Sequence, residues 1–276
     1  GRGTLAADAL RAAKALPAFR EALSLHLVET SPVMRAEQER ALTDSGARWH
    51  ETLAETPGGP GIILANEFVD ALPVRQLVWR DGAWRERCVA HDTAQGFHFT
   101  EGGAADLTAE ARELLPSAPA EGEVAELRPG AADLLGEIAR RGASGPQAAL
   151  IIDYGHAEPV SGDTLQAVSG HRYAGVFEAP GEHDLTAQVN FRHLAQQAES
   201  AGLHASGPMP QGRFLLQLGL EARCQTLLRG ANPDQQQTIM SGARRLADPA
   251  QMGELFKVMA VTTGMSDAPP PFGEQR

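Results

Sequence analysis

Residues 61–68, with the sequence GIILANEF, form an apolar run that ends in Asn66 and Glu67. Asp70 follows three positions after Glu67, and Pro73 closes the segment. A short apolar run bounded by turn residues is typical of a buried parallel strand, and open α/β sheets bind ligands at the carboxyl ends of such strands. The sequence therefore predicts an α/β fold with a ligand site beside this strand end.

A second apolar run, residues 148–153 with the sequence AALIID, ends in the same manner in Asp153, Tyr154 and Gly155. Either run alone would more often be a strand end with a solvated acid than a site. Two such ends in one chain favour a shared site, because the carboxyl ends of parallel strands meet at one edge of a sheet.

A third candidate strand lies upstream, at residues 23–29 with the sequence LSLHLVE, and it ends on Glu29. Its alternating pattern, followed by Ser31-Pro32 and a helical segment, indicates a Rossmann-like arrangement. In such sheets a carboxylate at the tip of the second strand accepts hydrogen bonds from the two ribose hydroxyls of a nucleotide-bearing ligand. The alternative interpretation is an acid at a helix start, stabilised by the helix dipole.

The sequence opens on Gly1-Arg2-Gly3-Thr4, a glycine motif before a predicted helix over residues 5–16. We expect Thr4 to cap this helix and Pro17 to end it. A glycine loop of this kind normally follows a buried strand. We therefore expect the first strand of the sheet and the first half of the loop to lie outside this sequence, and residues 1–276 expressed alone to be aggregation-prone. An ordinary loop with a helix cap is the alternative.

Residues 74–145 are predicted to form a hairpin and helical subdomain inserted into a single domain that spans residues 1–276. The hairpin covers residues 76–89 about a turn at Asp81-Gly82, and it places Trp79 opposite Trp84. A third strand is expected at residues 97–99, and helices at residues 105–115 and 131–141.

Residues 155–182 show little periodicity and are predicted to form a long functional loop. A helix over residues 185–201 is expected to begin at Asp184 as its N-cap. Strands are predicted at residues 213–220 and 255–262, with a helical region at residues 225–247 between them.

The composition excludes several classes of protein. Net charge is −11 over 276 residues without a basic block, which argues against nucleic acid as a partner. Cys88 and Cys224 are too few for a disulfide framework or a zinc site, and no metal is expected. No apolar run approaches the ~20 residues of a membrane span. We expect a bacterial cytoplasmic protein, or a protein of the mitochondrial matrix if a transit peptide precedes Gly1.

Several motifs, in this order, carry a resemblance to a known family: GRGT, HLVETSP, ANEFVDALPVRQ, DYGH, GDTLQAV followed by GHRY, PGEHDLTAQVNF, QGRFLLQLGL and QMGELFKVMAV. Together they resemble the MidA family of class I methyltransferases, which depend on S-adenosylmethionine. The resemblance implies a Rossmann-like sheet with helices on both faces. It also implies that mitochondrial members are assembly factors of respiratory complex I that methylate an arginine of one subunit.

Carried over position by position, the resemblance implies a site residue for each motif. Gly1 and Gly3, with Thr4, match the end of the cofactor loop, and Glu29 matches the acid that binds the ribose. Asn66 is implied both in cofactor binding and in catalysis. The later blocks match at Asp153, Tyr154, Gly155, Asp163, His171, Gly181, Asp184, Leu185 and Thr186. Asn190 departs from the pattern, since the family usually has Asp there.

Methyl transfer is an in-line displacement at a sulfonium carbon, so a protein mainly positions two partners and manages a proton. A guanidinium acceptor presents a fork of donors that matches carboxylates. Glu67 and Asp70, with Asn66, are the predicted catalytic residues. We expect a lid or substrate wall from Asp153, Tyr154, His171 and Asp184, and the alternative for these residues is hydrogen bonding that pins a loop.

The sequence thus predicts a methyltransferase that uses S-adenosyl-L-methionine to methylate an arginine side chain of a protein substrate, with a respiratory complex subunit as one candidate. One alternative is a non-catalytic assembly or binding protein that keeps this fold. Another is a nicotinamide-dependent oxidoreductase, because Glu29 would serve an NAD ribose equally well. A homodimer is compatible with the sequence.

Overall fold

The structure is a computed structural model that describes residues 1–158, 162–169 and 172–273. The chain divides into two compact units, unit 1 (Gly1–Gly59) and unit 2 (Pro60–Arg276).

Unit 1 contains two short parallel strands and three helices. Its strands pair in register from His26 with Arg48 to Val28 with His50. The elements are α1 (Thr4–Ala13), α2 (Pro17–Ala22), β1 (His26–Val28), α3 (Pro32–Ala41) and β2 (Arg48–His50).

Two expectations for the first helix are wrong. The N-cap of α1 is Gly3 rather than Thr4, and no side chain caps the helix. Pro17 begins α2 rather than ending α1. Proline suits the first position of a helix because its missing N–H has no partner there in any case.

Unit 2 contains the remaining elements. They are β3 (Gly61–Asn66), β4 (Arg75–Arg80), β5 (Ala83–Asp92), β6 (Gly96–Ala104), α4 (Ala109–Glu113), β7 (Val124–Leu127), α5 (Pro129–Arg141), β8 (Gln147–His156), β9 (Gln166–Ser169), β10 (Arg172–Ala174), β11 (Asp184–Thr186), β12 (Val189–Asn190), α6 (Phe191–Ser200), β13 (His204–Pro210), α7 (Gln211–Gln217), α8 (Leu220–Leu228), α9 (Pro233–Ala247) and β14 (Phe256–Thr263).

A five-stranded mixed sheet forms the centre of unit 2. Both β3 and β12 run parallel to β8, while β14 is antiparallel to β8 and to β13. Residues of β8 alternate between buried and half-buried, and helices α5 and α6 pack together and against this strand. Ile151, Ile138 and Phe191 are fully buried, so the core of the unit lies between the sheet and these helices. The two predicted strands are confirmed as neighbours, as β3 and β8, although β8 continues past Asp153 to His156.

The edge of β3 away from β8 forms no strand pair within the described part of the chain. Ile62 and Leu64 on this strand are 67% and 51% exposed.

A second, antiparallel sheet has the order β6-β5-β4-β7. Trp79 pairs with Trp84 across the β4-β5 hairpin, and their rings meet edge to face at 5.3 Å. Asp81 and Gly82 both have positive φ, at 51° and 77°, as a tight hairpin turn requires. The predicted hairpin is confirmed, and the predicted third strand is present as the longer β6.

Residues 155–182 are not a structureless loop. Among the described residues, β9 pairs with β10 and with β11 in a small antiparallel sheet. The helix expected from Asp184 begins only at Phe191, because Asp184 itself starts β11. Strands of three or four residues are too short for a period-2 pattern to reveal them.

The strand expected at residues 213–220 is also wrong, since this stretch holds α7 and the start of α8. The strand of this region is β13, with the sequence HASGPMP. Proline within a run argues against a central strand. It is tolerated here because β13 lies at the sheet edge and its register shifts between Ser206 and Met209.

Candidate active site

Glu29 follows β1 directly, as the sequence predicts, and its side chain is 14% exposed. Its Oε1 accepts a hydrogen bond from the backbone N–H of Ser31 at 2.9 Å. Its Oε2 accepts one from Nε2 of Gln38, also at 2.9 Å. A carboxylate offers about four lone-pair sites, so the position retains capacity for two further donors such as ribose hydroxyls.

Gln38 is a site residue that the sequence analysis missed. It is buried on α3, with 4% exposure. Its Nε2 also donates to the carbonyl oxygen of Gly1 at 2.7 Å, and its Oε1 accepts from Nε1 of Trp49 at 2.8 Å. A polar residue on the buried side of a helix was the only available signal. The amide thereby joins the glycine segment, Glu29 and β2 in one network.

Gly3 has φ of 83°, a conformation that favours glycine. A Cβ atom at this position would lie 3.3 Å from the Cα of Gln38. Thr4 is the first residue of α1, and its hydroxyl makes no cap hydrogen bond. Unit 1 therefore combines a close-packed glycine turn, a helix N-terminus and an acid at a strand tip, and this donor set fits a nucleotide-bearing cofactor.

In unit 2, Asn66 and Glu67 are exposed at the carboxyl end of β3. The Nδ2 of Asn66 donates to Oε1 of Glu67 at 3.2 Å. Glu67 has φ of 48°, in the left-handed region, and its backbone N–H donates to the carbonyl oxygen of Ile152 at 2.9 Å. Backbone strain at a residue other than glycine often marks a functional position.

Asp153 on β8 is fully buried. Its Oδ2 accepts hydrogen bonds from three successive backbone N–H groups after β3, at 3.0–3.2 Å, while its Oδ1 accepts from the N–H of Tyr154 at 3.0 Å. Burial and the charge of Asp70 raise the pKa of Asp153 to about 7, although these backbone hydrogen bonds act in the opposite direction. Because the carboxylate is saturated by backbone groups, it holds a loop.

Asp70 is 6% exposed, and its Oδ1 has no hydrogen-bond partner within the described residues. Burial raises the pKa of Asp70, opposed first by a hydrogen bond with Tyr154 and then by a backbone hydrogen bond and the charge of Arg128. An unpartnered, buried carboxylate oxygen is costly, so this atom is a natural point for a donor group or a proton to bind.

The Tyr154 hydroxyl lies in a cluster with Asp70, Thr186 and Gln166. Nε2 of Gln166 donates to the hydroxyl oxygen at 3.4 Å. Burial, more than any other cause, raises the pKa of Tyr154 to about 12. The phenol therefore keeps its proton near neutral pH and can donate it in a hydrogen bond to Asp70.

Arg128 is a second site residue that the sequence analysis missed. Its Nη2 donates to the carbonyl oxygen of Ala187 at 2.9 Å. Burial lowers the pKa of Arg128, while the nearby charges of Glu126, Asp153 and Asp70 act against this. A cation beside two buried acids partly offsets their charge.

Two further acids of the later sequence blocks, Asp163 and Asp184, make no hydrogen bond or ion pair with Asp70, Tyr154 or Asp153 among the described residues. Asp163 accepts a charged hydrogen bond from Nη1 of Arg87 at 2.6 Å, and Asp184 is exposed on β11. His171 falls outside the described residues. Asp153 and Tyr154 lie near the carboxyl end of β8, and the carboxylate of Asp153 contacts the loop that carries Asp70. A lid or substrate wall formed by these residues stays a prediction.

Asn190, where the resemblance leads one to expect Asp, is the N-cap of α6. Its side chain accepts a hydrogen bond from the backbone N–H of His193 at 3.1 Å. Asn and Asp cap helices about equally well. The departure from the family pattern therefore preserves the local structure.

A cleft of about 390 Å³ lies beside this cluster and is lined by residues that include Arg128, Glu126, Gln188, His156 and His193. Burial, followed by the charge of His156, lowers the pKa of His193 to about 4, so this imidazole is neutral at physiological pH. Among the described residues there is no group of three or more His, Cys, Asp or Glu side chains arranged to hold a metal ion. In the same part of the chain, helices with the length and apolar character of a membrane span are absent.

Comparison with known families gives a match over residues 1–209 to a family described as "Putative S-adenosyl-L-methionine-dependent methyltransferase". The matched range includes both the glycine turn and Glu29 in unit 1 and the acids of the cluster in unit 2.

Curated relatives include the Drosophila melanogaster protein named "Protein arginine methyltransferase NDUFAF7 homolog, mitochondrial". It is 35% identical over 295 residues, which cover 96% of this chain and 66% of the relative. The Mus musculus protein named "Protein arginine methyltransferase NDUFAF7, mitochondrial" is 33% identical, with 95% of this chain and 65% of the relative covered. The chain therefore spans slightly less than two thirds of these two proteins.

Two crystal structures of proteins from Burkholderia thailandensis share the fold, each with a TM-score of 0.81 and 30% sequence identity over 97% of this chain. One of them contains S-adenosyl-homocysteine and is covered over 70% of its length. The other is covered over 73%. The predicted Rossmann-like methyltransferase fold is confirmed.

Proposed function

We propose that this chain, which belongs to the S-adenosyl-L-methionine-dependent methyltransferase family matched by its residues 1–209, transfers a methyl group from that cofactor to an arginine side chain of a protein. The relatives named as protein arginine methyltransferases support this acceptor. A respiratory complex subunit is one candidate for the methylated protein, as the resemblance of the sequence motifs implies.

One observation carries the proposal. The loop after β3 presents two carboxylates in different environments, because Glu67 is exposed and strained while Asp70 is buried with one unpartnered oxygen. An arginine acceptor needs a charged partner for its guanidinium and a group that manages the released proton. These two acids provide both.

S-adenosyl-L-methionine, when bound, supplies an electrophilic methyl group on a sulfonium centre. Glu29 accepts hydrogen bonds from the ribose hydroxyls and so orients the cofactor. Asn66 holds the carboxylate of Glu67 through the hydrogen bond at 3.2 Å. The carboxylate of Glu67 then binds the guanidinium through a pair of charge-assisted hydrogen bonds.

Transfer of the methyl group to a guanidinium nitrogen releases one proton. Asp70 is suited to accept it, because burial raises the pKa of this carboxyl and its Oδ1 has no other partner among the described residues. Tyr154 keeps its own proton, and its hydrogen bond with Asp70 lowers the pKa of Asp70, which opposes the larger effect of burial. Arg128 stabilises the ionised form of the acid at the start of the cycle.

The test uses methyl-labelled S-adenosyl-L-methionine, the purified protein and a lysate of its own host. Labelled proteins are separated, digested and sequenced by mass spectrometry. We expect label on arginine of a discrete protein, and about 100- to 1,000-fold slower labelling by the Glu67→Gln variant. Label on lysine or on a small molecule would overturn the arginine assignment.

A calorimetric titration with S-adenosyl-L-methionine on the same protein separates the proposal from a non-catalytic role. Binding without transfer of label to any protein would support an assembly or binding protein that keeps the fold.

A further inference from the structure

Within the described residues, the carboxylate of Asp153 accepts hydrogen bonds from backbone N–H groups alone. Phe68, Val69 and Asp70 each donate an N–H to its Oδ2, at 3.2, 3.0 and 3.1 Å. Oδ1 accepts from the N–H of Tyr154 at 3.0 Å. Four donors use the acceptor capacity of an ionised carboxylate.

This arrangement excludes direct contact of Asp153 with a substrate. The residue is fully buried, so an acceptor side chain cannot reach it in this structure. The three amides belong to one turn, which begins at Glu67 and ends at Asp70. A single oxygen atom thus determines the backbone path between the two acids of the proposed site.

We propose that Asp153 is a positioning residue for methyl transfer, whose buried carboxylate holds the turn after β3 so that Glu67 and Asp70 keep their places. This inference rests on the proposed function only where it concerns the effect of Asp153 on the rate of methyl transfer. The hydrogen bonds to the turn can be tested without it.

The groups that face Asp153 determine how it responds to pH. Asp70 is the acid that raises its pKa, and the half-buried Arg128 and Tyr154 belong to the same cluster. Lys257 is its register partner on β14, but the ammonium of Lys257 bonds to Glu254. With a pKa of about 7, Asp153 takes up a proton as the pH falls below neutrality. A neutral carboxyl accepts hydrogen bonds more weakly, so the turn should loosen.

Activity and stability should therefore depend on pH in opposite directions. Asp153 has a folded-state pKa above its ordinary value of 3.8, so the folded protein binds this proton more tightly than the unfolded chain does. Its contribution to stability is present below pH 3.8 and is lost as the pH rises through about 7. The positioning role requires the ionised form, so methyl transfer should slow as the pH falls through about 7.

The activity experiment compares Asp153→Asn with the wild type, using methyl-labelled S-adenosyl-L-methionine and the protein fraction of a host lysate. Asp92→Asn is the matched control, because Asp92 also accepts backbone hydrogen bonds, from Ala94 and Gln95, but does so at an exposed turn. We expect a 10- to 100-fold lower maximal rate for Asp153→Asn, with the KM for S-adenosyl-L-methionine within about threefold. The fall in rate below pH 7 should be smaller in this variant, where only Asp70 still takes up a proton, and should be unchanged in the control.

A second measurement follows the backbone amide NMR signals of Phe68, Val69 and Asp70 in the wild type between pH 5 and 9. We expect the three signals to titrate together with a midpoint near pH 7. Independent titration, or no titration, would contradict the positioning role even if Asp153→Asn failed to fold. A wild-type rate profile retained in full by Asp153→Asn would overturn it as well.

These results separate the two proposals. If the wild type methylates no arginine while the three amides titrate together, the proposed acceptor is wrong and the positioning of the turn is upheld. If arginine is methylated but the amides do not respond, the positioning inference fails and the proposed function is retained.

Discussion

At the scale of the residue, Glu67 combines an exposed carboxylate with a left-handed backbone, at φ of 48°. Such a conformation costs on the order of 1–3 kcal/mol in a residue other than glycine. The bond from its N–H to the carbonyl oxygen of Ile152 helps to hold the strained backbone in place. Backbone strain of this kind is retained where the position of the side chain contributes to function.

We predict that Glu67→Gln lowers methyl transfer by about 100- to 1,000-fold, since preorganised charge commonly supplies ~3–4 kcal/mol per group. The affinity for S-adenosyl-L-methionine should stay nearly constant, because the shape of the side chain is kept. Labelled transfer and calorimetry measure the two quantities.

The matched variant Glu67→Gly separates strain from function. Glycine adopts positive φ without cost, so this variant should unfold at higher urea concentration than the wild type while it also loses activity. Full activity in either variant would remove Glu67 from the catalytic site.

A second prediction at this scale concerns Glu29. Loss of a charged acceptor costs ~1.5–3 kcal/mol, so Glu29→Ala should weaken the binding of S-adenosyl-L-methionine by roughly 10- to 100-fold. Glu37→Ala serves as the control, because Glu37 lies on the surface of α3, the helix that follows Glu29, and accepts a hydrogen bond from Arg40. Equal calorimetric affinities for both variants and the wild type would show that Glu29 does not bind the ribose.

At the scale of the element, the end of β8 depends on a glycine. Gly155 pairs with Val189 of β12, and a Cβ atom here would lie 2.0 Å from the carbonyl oxygen of Val189. A contact with backbone at this distance cannot be relieved by a change of side-chain rotamer. The two strands can pair here only because residue 155 has no side chain.

We therefore predict that Gly155→Ala destabilises the protein by several kcal/mol, or prevents its folding, because β12 must move away from β8. Gly136→Ala on α5 is the control. A Cβ atom there meets nothing within 4 Å, and alanine in a helix is favoured over glycine by ~0.5–1 kcal/mol. The midpoint urea concentration of unfolding should fall for Gly155→Ala and rise for Gly136→Ala. A stable Gly155→Ala protein would contradict the close strand pairing.

The sequence predicted those elements whose own residues determine their form. The hairpin about Asp81-Gly82 and the buried strand before Asp153 were identified because turn chemistry and an apolar run are local signals. The strand β13 was missed because its prolines are tolerated only at a sheet edge, which is a property of the whole sheet.

The sequence also predicted only part of the candidate site. Glu29, Glu67, Asp70 and Asp153 could be selected from strand ends and from the family resemblance. The sequence could not reveal that Asp153 is fully buried and bonded to backbone. Both features depend on a turn that lies 83 to 85 residues earlier in the chain. Gln38 and Arg128 carried no sequence signal beyond a polar side chain in a partly apolar segment.

At the scale of the molecule, the net charge of −11 favours a basic partner. Opposite charge steers association and speeds it most at low ionic strength, which agrees with a substrate segment that presents arginine. The family shared with the matched relatives accounts for the S-adenosyl-L-methionine chemistry. The claim that an arginine side chain receives the methyl group is the one to be tested.

The most direct measurement of that claim compares two products in one reaction of the wild-type protein with S-adenosyl-L-methionine and host protein. S-adenosyl-homocysteine and methylarginine are both quantified by mass spectrometry over time. We predict that the S-adenosyl-homocysteine formed equals the methyl groups found on arginine, with monomethylarginine counted once and dimethylarginine twice, and that both products form about 100- to 1,000-fold more slowly in Glu67→Gln. Formation of S-adenosyl-homocysteine without an equal number of methyl groups on arginine would contradict the proposed function.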